Sequence, residues 1–275
     1  SSEIRVVQPD PFYDPKLPDR ALMAGVDAPA VAAVLRRHRF VVREEAWISG
    51  RVEDADHDLV DRIFGLSRDK ASLRLATVPG EQALGFFVAG IRETYEESGI
   101  LLARRRGSSE LLDASSAATL SRHRLDVQKG DASFRELVLA EDLVLAADLL
   151  SVHAHWITPE DSPRRFDTIF FATRMPPDQT AAHDGVELTD HAWLPPEQAL
   201  AEFRAGRRQM IIPTWANLET LSGFATAEAA LEASRRRPIV PILPTMVERD
   251  GRRRLVIRED AGYPTTEELV GGPGA

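Results

Sequence analysis

The sequence predicts an α/β protein, and three stretches carry that expectation. Glu81 to Ser98 repeats apolar residues at helical spacing, with a polar face opposite. Phe166 to Arg174 is rich in Phe, Thr and Ile and reads as a strand, closed by Pro176-Pro177. Met246 to Ile257 reads as a hairpin turned at Asp250-Gly251.

In chain order, residues 1–19 are Pro-rich and polar and read as an extended arm. A single domain is expected over 20–260. Val31 to Leu35 and Arg39 to Val42 read as short strands, with Arg36-Arg37-His38-Arg39 between or along them. Asp58 to Leu66 reads as a helix, and Ser67 to Gly80, of mixed character, as loop. Leu84, Phe87, Val88, Ile91 and Tyr95 make the buried stripe of the next helix, and Gly99 follows as a C-cap should. Ala114 to Gln128 and Ser133 to Glu141 read as amphipathic helices, Leu143 to Leu145 and Trp156-Ile157 as short strands. Glu187 to Leu194 reads as a strand, and Pro196 to Gly206 as a helix with Pro in its first turn. Trp215 to Phe224 and Ala227 to Arg236 read as helices, and Pro238 to Pro244 as extended chain. Residues 261–275, which end Gly-Gly-Pro-Gly-Ala, read as a flexible tail.

The chemistry concentrates in Arg92 to Ile100, R-E-T-Y-E-E-S-G-I. On a helix, Glu93, Glu96 and Glu97 fall at i, i+3 and i+4 and share one face. Like charges so close repel by roughly 0.2–0.5 kcal/mol per pair even on an exposed helix. A cation relieves that repulsion, and hard divalent ions take such oxygen ligands and usually also hold substrate phosphates. Arg92, four residues before Glu96, can pair with it along the helix. Ala89 and Gly90 lie nearer the glutamate face, where small residues leave room for a ligand. A lone E-x-x-E-E most often marks only a solvated acidic helix end.

The whole string resembles the second half of the Nudix box, G-x5-E-x7-R-E-U-x-E-E-x-G-U, where U is bulky and aliphatic. A contiguous box fails, because Val78 and Leu84 stand where Gly and Glu are required. The missing half resembles Trp47 to Val52, where Gly50 is followed six residues on by Asp56 in place of Glu. Residues 57 to 91, 35 in all, then separate Asp56 from Arg92 where the family has seven. Such a split box looks like the branch of peroxisomal coenzyme A diphosphatases and their bacterial relatives. Trp156 to Phe171 and Glu187 to Ala199 look like that branch too. Thr94 fills a usually aliphatic position, and Ser49 stands where a second Gly is common.

The resemblance implies an α/β/α sandwich around a mixed sheet, enlarged by an insertion at 57–83 and by added helices near 110–142 and 215–236. It implies a metal-dependent diphosphatase. Glu96 and Glu97 are then the main Mg²⁺ or Mn²⁺ ligands, and Glu93 a further ligand or general base. The Gly50 carbonyl adds a ligand, and Arg92 holds the glutamates by ion pairing. Coenzyme A or an acyl-CoA is the expected substrate. ADP-ribose, NADH and dinucleoside polyphosphates are the alternatives, and a non-catalytic ligand-binding Nudix-like domain is a third reading. Nudix proteins are often dimers, so a homodimer is compatible with the resemblance.

Composition narrows the rest. With 43% hydrophobic and 28% charged residues, the chain has the make-up of a globular domain able to bury a core. A net charge of −9 argues against general nucleic-acid binding, which depends on neutralising phosphates with Lys and Arg. No apolar run approaches the ~20 residues of a membrane span, and no signal pattern opens the chain. A cytoplasmic location is the default expectation. With no cysteine, disulfides and thiol catalysis are excluded. His153-Ala-His155 has a spacing used by zinc hydrolases, but no Asp-His pair follows at the needed interval. No P-loop and no nucleophile elbow is present.

Overall fold

A computed structural model describes residues 4–6, 31–33, 54–75, 78, 80–160, 167–181, 192–208 and 210–269. Its framework is a helix–sheet–helix sandwich. Its central strands, Ser151–Ile157 and Asp167–Ala172, are covered by helices on each face.

The first elements are the short strands β1 (Ile4–Val6) and β2 (Val31–Ala33), paired in parallel. The former therefore places a strand inside the expected N-terminal arm. Next come α1 (Asp54–His57) and a 3₁₀ turn at Val60–Arg62. The expected helix over 58–66 is thus replaced by an earlier single turn and a tighter one. The expected loop over 67–80 instead contains α2 (Arg68–Arg74), whose start is capped by the Ser67 hydroxyl accepting from the Lys70 N–H. The long helix α3 (Gly80–Ser98) follows as expected, and Gly99 ends it at φ +72° with its N–H on the Tyr95 carbonyl.

Beyond α3 the chain forms β3 (Ala103–Arg105), then α4 (Ala114–Leu120), α5 (Arg124–Lys129) and α6 (Phe134–Ala140). One continuous helix over 114–128 was expected; a 3₁₀ turn at Ser121–His123 divides it. Then β4 (Leu143–Leu145) returns antiparallel to β3. β5 (Ser151–Ile157) and β6 (Asp167–Ala172) form the antiparallel centre, and β7 (Ala192–Leu194) pairs with β1. Three helices follow: α7 (Pro196–Arg204), α8 (Ile212–Ser222) and α9 (Ala227–Arg236). The last strands are β8 (Pro241–Ile242), parallel to β5, and the expected hairpin β9 (Thr245–Arg249) and β10 (Arg252–Val256). β11 (Glu267–Leu269) adds a third strand to that hairpin. Parallel and antiparallel pairings coexist, so the sheet structure is mixed.

The two faces of β5–β6 bury two different cores. Phe171 and Ile169 point toward α3, where Phe87 and Phe171 meet at a ring separation of 5.0 Å. Phe170, Ala154 and Trp156 point the other way, into a cluster with Trp215, Leu218 and Ala230 of α8 and α9. This alternation is the period-2 logic of a strand buried on both sides. Fully burying one such aromatic contributes roughly 1.5–3 kcal/mol, so both layers are held mainly by apolar burial.

Candidate functional site

The acidic face of α3 is built by helix periodicity and closed by a residue far away in sequence. Arg92 is 5% exposed and Asp56 1% exposed. Arg92 Nε donates to Asp56 Oδ1 at 3.0 Å, and its Nη2 to Oδ2 at 3.1 Å, a bidentate pair across 36 residues. Its remaining Nη1 lies 3.0 Å from Glu93 Oε1 and 3.1 Å from Glu96 Oε1. One guanidinium therefore faces three carboxylates. Burial alone would push the Arg92 pKa down; the charges of Glu93, Asp56 and Glu96 outweigh it and hold the group well above its ordinary value.

Glu97, beside Glu96, is 6% exposed. Thr94, at the usually aliphatic position, is buried and donates its hydroxyl to the Gly90 carbonyl at 2.7 Å. A β-branched Thr thus fits, because its oxygen finds a partner within the helix. Gly90 serves a different purpose from the ligand space expected of it. A Cβ there would lie 3.0 Å from the Phe171 ring, so the missing side chain lets α3 approach β6. The far end of α3 is fixed as well. Tyr95 donates its hydroxyl to the Leu120 carbonyl at 2.6 Å, and the Gln179 amide bonds both the N–H and the carbonyl of Leu101.

Sequence reasoning located Glu93, Glu96, Glu97 and Arg92 together, and the helix places all four on adjoining turns. Gly50 and the Arg36 to Arg39 stretch lie outside the described residues. So do 187–191, the first part of the expected strand 187–194. Asp56, found only by its distance from Gly50, emerges as the buried partner of Arg92.

The two histidines separate. A bulge between Val152 and Ala154 breaks the alternation of β5. His153 Nδ1 meets the Ser234 hydroxyl of α9 at 3.0 Å, and burial holds its pKa down at about 3, so the ring is neutral. His155 sits opposite Ile169, on the α3 side, with its Nε2 bonded to Asp167. The two rings thus face opposite layers, and among the described residues no metal-binding group of side chains includes them, which argues against the zinc reading of the pair. The His155–Asp167 contact was not foreseen; sequence distance gives no signal for it.

The donor set suits a hard divalent ion, since carboxylate oxygens are what Mg²⁺ and Mn²⁺ prefer. Among the described residues no three His, Asp or Glu side chains converge into a metal cage. Mg²⁺ is ordinarily held by one or two carboxylates with substrate phosphates, so the acidic helix face fits that mode of binding.

The fold and this helix together define a Nudix-type protein. A crystal structure of a Nudix hydrolase from Alicyclobacillus acidocaldarius superposes with a TM-score of 0.53 at 20% identity, over 84% of this chain and 94% of that one. The profile of the NUDT19 Nudix domain matches residues 51–221, and the chain belongs to that family. Acyl-coenzyme A diphosphatase NUDT19 of Xenopus laevis is 29% identical over 159 residues, 54% of this chain and 41% of that protein. The Gallus gallus protein of the same name is 29% identical over 223 residues, 70% of this chain and 56% of that protein. The Homo sapiens protein is 28% identical over 163 residues, 54% of this chain and 42% of that protein. The chain spans about half the length of the curated relatives it matches.

Proposed function

We propose that this chain is a divalent-metal-dependent Nudix diphosphatase acting on coenzyme A or an acyl-CoA. The observation that carries the reading is the α3 face, where Glu93 and Glu96, with Asp56 from outside the helix, surround one buried arginine and Glu97 lies beside Glu96. The relatives named acyl-coenzyme A diphosphatase support the substrate class.

Glu96 and Glu97 hold the metal, Mg²⁺ or Mn²⁺, with the Gly50 carbonyl as a further ligand. Glu93 is a ligand or the general base that takes a proton from water. Bound there, a divalent ion neutralises diphosphate charge and makes water more acidic. Arg92 keeps Glu93 and Glu96 on the metal face, and Asp56 keeps Arg92 in place. Asp56 thus acts through Arg92 and is a positioning residue. Net hydrolysis adds one water across the diphosphate bond and yields 3′,5′-ADP and a 4′-phosphopantetheine product. No helix among the described residues is long and apolar enough to cross a membrane.

The test is hydrolysis of a panel by the purified chain with Mg²⁺ or Mn²⁺, products read by mass spectrometry. The panel holds coenzyme A, acyl-CoAs, ADP-ribose, NADH and dinucleoside polyphosphates. The expected outcome is preferential cleavage of the CoA compounds. Preference for another member moves the substrate and keeps the metal site. Near wild-type turnover by both Glu96→Gln and Glu97→Gln would overturn the site itself.

A further inference from the structure

The split box poses a mechanical problem. Asp56 must reach Arg92, yet a long insertion lies between them, and something other than chain connectivity has to fix its position. We propose that Arg104 and Asp148 are positioning residues that do this, an inference that rests on the function proposed above.

Arg104 of β3 is 6% exposed and grips Asp148 with both terminal nitrogens, at 2.7 and 2.8 Å. Its Nε donates to the Ser109 carbonyl at 3.0 Å, and its guanidinium lies 4.3 Å from the centre of the Phe64 ring. The Phe64 carbonyl accepts from the Asp148 N–H at 3.3 Å, and the Phe64 N–H donates to the Leu145 carbonyl at 2.8 Å. Ile63 bridges to Leu145. Gly65 follows at φ +75°, and a Cβ on it would lie 2.5 Å from the Asp148 Cβ. Arg62 adds an ion pair to Asp142 at 2.7 Å. Residues 62–65 are thus fastened to β4 and to the turn after it, chiefly through Asp148.

Little slack separates this fastening from Asp56. The Leu59 N–H bonds the Asp56 carbonyl at 3.2 Å, the Arg62 N–H bonds the Leu59 carbonyl at 2.8 Å, and the Leu59 side chain is 1% exposed in the core. A shift at Phe64 therefore passes along two tight turns to Asp56. From there it passes to Arg92, and so to Glu93 and Glu96. The first part of the insertion is held at two points: at Asp56 by Arg92, and at Phe64 and Gly65 by the Arg104–Asp148 pair.

The experiment compares the full wild-type chain with Arg104→Gln, Arg104→Lys, Asp148→Asn and the surface control Arg249→Gln. Hydrogen exchange of amides 59–64 is measured without metal, Mn²⁺ affinity is measured by titration without substrate, and kcat is measured on coenzyme A. Arg104→Gln and Asp148→Asn are expected to speed exchange at Leu59, Arg62 and Phe64. They should weaken Mn²⁺ binding and lower kcat by about tenfold each, the lower end of what losing an outer partner of a metal site costs. Arg104→Lys should recover part of both, and Arg249→Gln should match wild type. Faster exchange with unchanged Mn²⁺ affinity would make the pair merely structural and overturn the proposal, as would unchanged exchange. A wild-type chain that neither binds Mn²⁺ nor cleaves the panel removes the functional reading, and the proposal with it, before any variant is compared.

Discussion

The two faces of β5–β6 each bury a polar network, and they solve the problem differently. On the α3 face the network is ionic: Arg92 with Asp56, Glu93 and Glu96. On the α8–α9 face the centre of the network is uncharged, with Arg237 at its edge, donating to the His153 carbonyl and lying 5.7 Å from the centre of the Tyr263 ring. Trp156 Nε1 donates to Asn217 Oδ1 at 3.3 Å and to the Tyr263 hydroxyl at 3.2 Å, and Tyr263 donates to Asn217 Oδ1 at 2.6 Å. His153 there is neutral, and burial pushes the Tyr263 hydroxyl up to about 12. The second face joins Trp156, Asn217 and Tyr263 by hydrogen bonds between uncharged side chains, with no carboxylate among the three. A cluster of carboxylates is therefore not a packing requirement of this sheet. The first face's excess of carboxylates over arginine is what a cation-binding surface needs, and a neutral network would serve packing equally well at lower desolvation cost.

The sharpest way to break the contrast is Asp56→Ala. It leaves the Arg92 charge buried without its bidentate partner, one of three carboxylates, so a loss of about 3–5 kcal/mol in stability is expected. Urea unfolding checks it, and a loss below about 1 kcal/mol would mean that the pair is not a structural anchor. Next comes Glu97→Gln, nearly isosteric. It should keep the fold and cut turnover by about 100-fold or more, the scale seen when a group acting directly on the reaction centre is removed. Equal losses in melting temperature and activity would instead mark Glu97 as a packing residue. On the α8–α9 face, Tyr263→Phe should cost about 1–2 kcal/mol in stability and leave turnover unchanged. A large activity loss there would dissolve the division between the faces.

The smallest expected effect concerns pH. His153 has a folded pKa of about 3, below its ordinary value of 6.5. The unfolded chain takes up a proton below about 6.5 while the folded one does not, so stability is lost as pH falls from there toward about 3. Between pH 7 and pH 6 the loss is less than about 1 kcal/mol, growing thereafter by about 1.4 kcal/mol per unit. In His153→Asn this component of the pH slope of urea unfolding should vanish. An unaltered slope would mean that the ring titrates normally.

How far the sequence could be read follows from what kind of signal each feature leaves. α3 was legible because its apolar stripe and terminal Gly99 are local periodic signals. The ion pair from Arg92 to Glu96 was legible for the same reason. α2 was not, since R-D-K-A-S-L-R buries only Ala71 within the helix and shows no stripe; the Ser67 cap was its one local mark. Asp56 could be found by spacing, but its bidentate grip on Arg92 arises only when the insertion folds back. Gly90 was misread because a small residue near an acidic face looks like ligand space, and only the position of Phe171 shows that it makes room for a strand. The expected sandwich and mixed sheet are present, because strand and helix periodicities survive the insertions that interrupt them.

The bulge in β5 carries one more consequence, for insertions and deletions in evolution. A strand buried on both sides has no neutral register: losing one residue turns every side chain beyond it to the opposite layer. Position 153 is the exception, because the bulge makes its residue the extra one: Val152 pairs with Phe171 and Ala154 with Phe170 on either side of it. Removing it would close the ladder and leave Val152 on the α3 layer and Ala154 on the other, whereas removing any of residues 154–156 would turn part of the strand to the wrong layer. A deletion should therefore be tolerated at 153 and not at its neighbours, while loop tips such as Asp250-Gly251 should accept added residues readily.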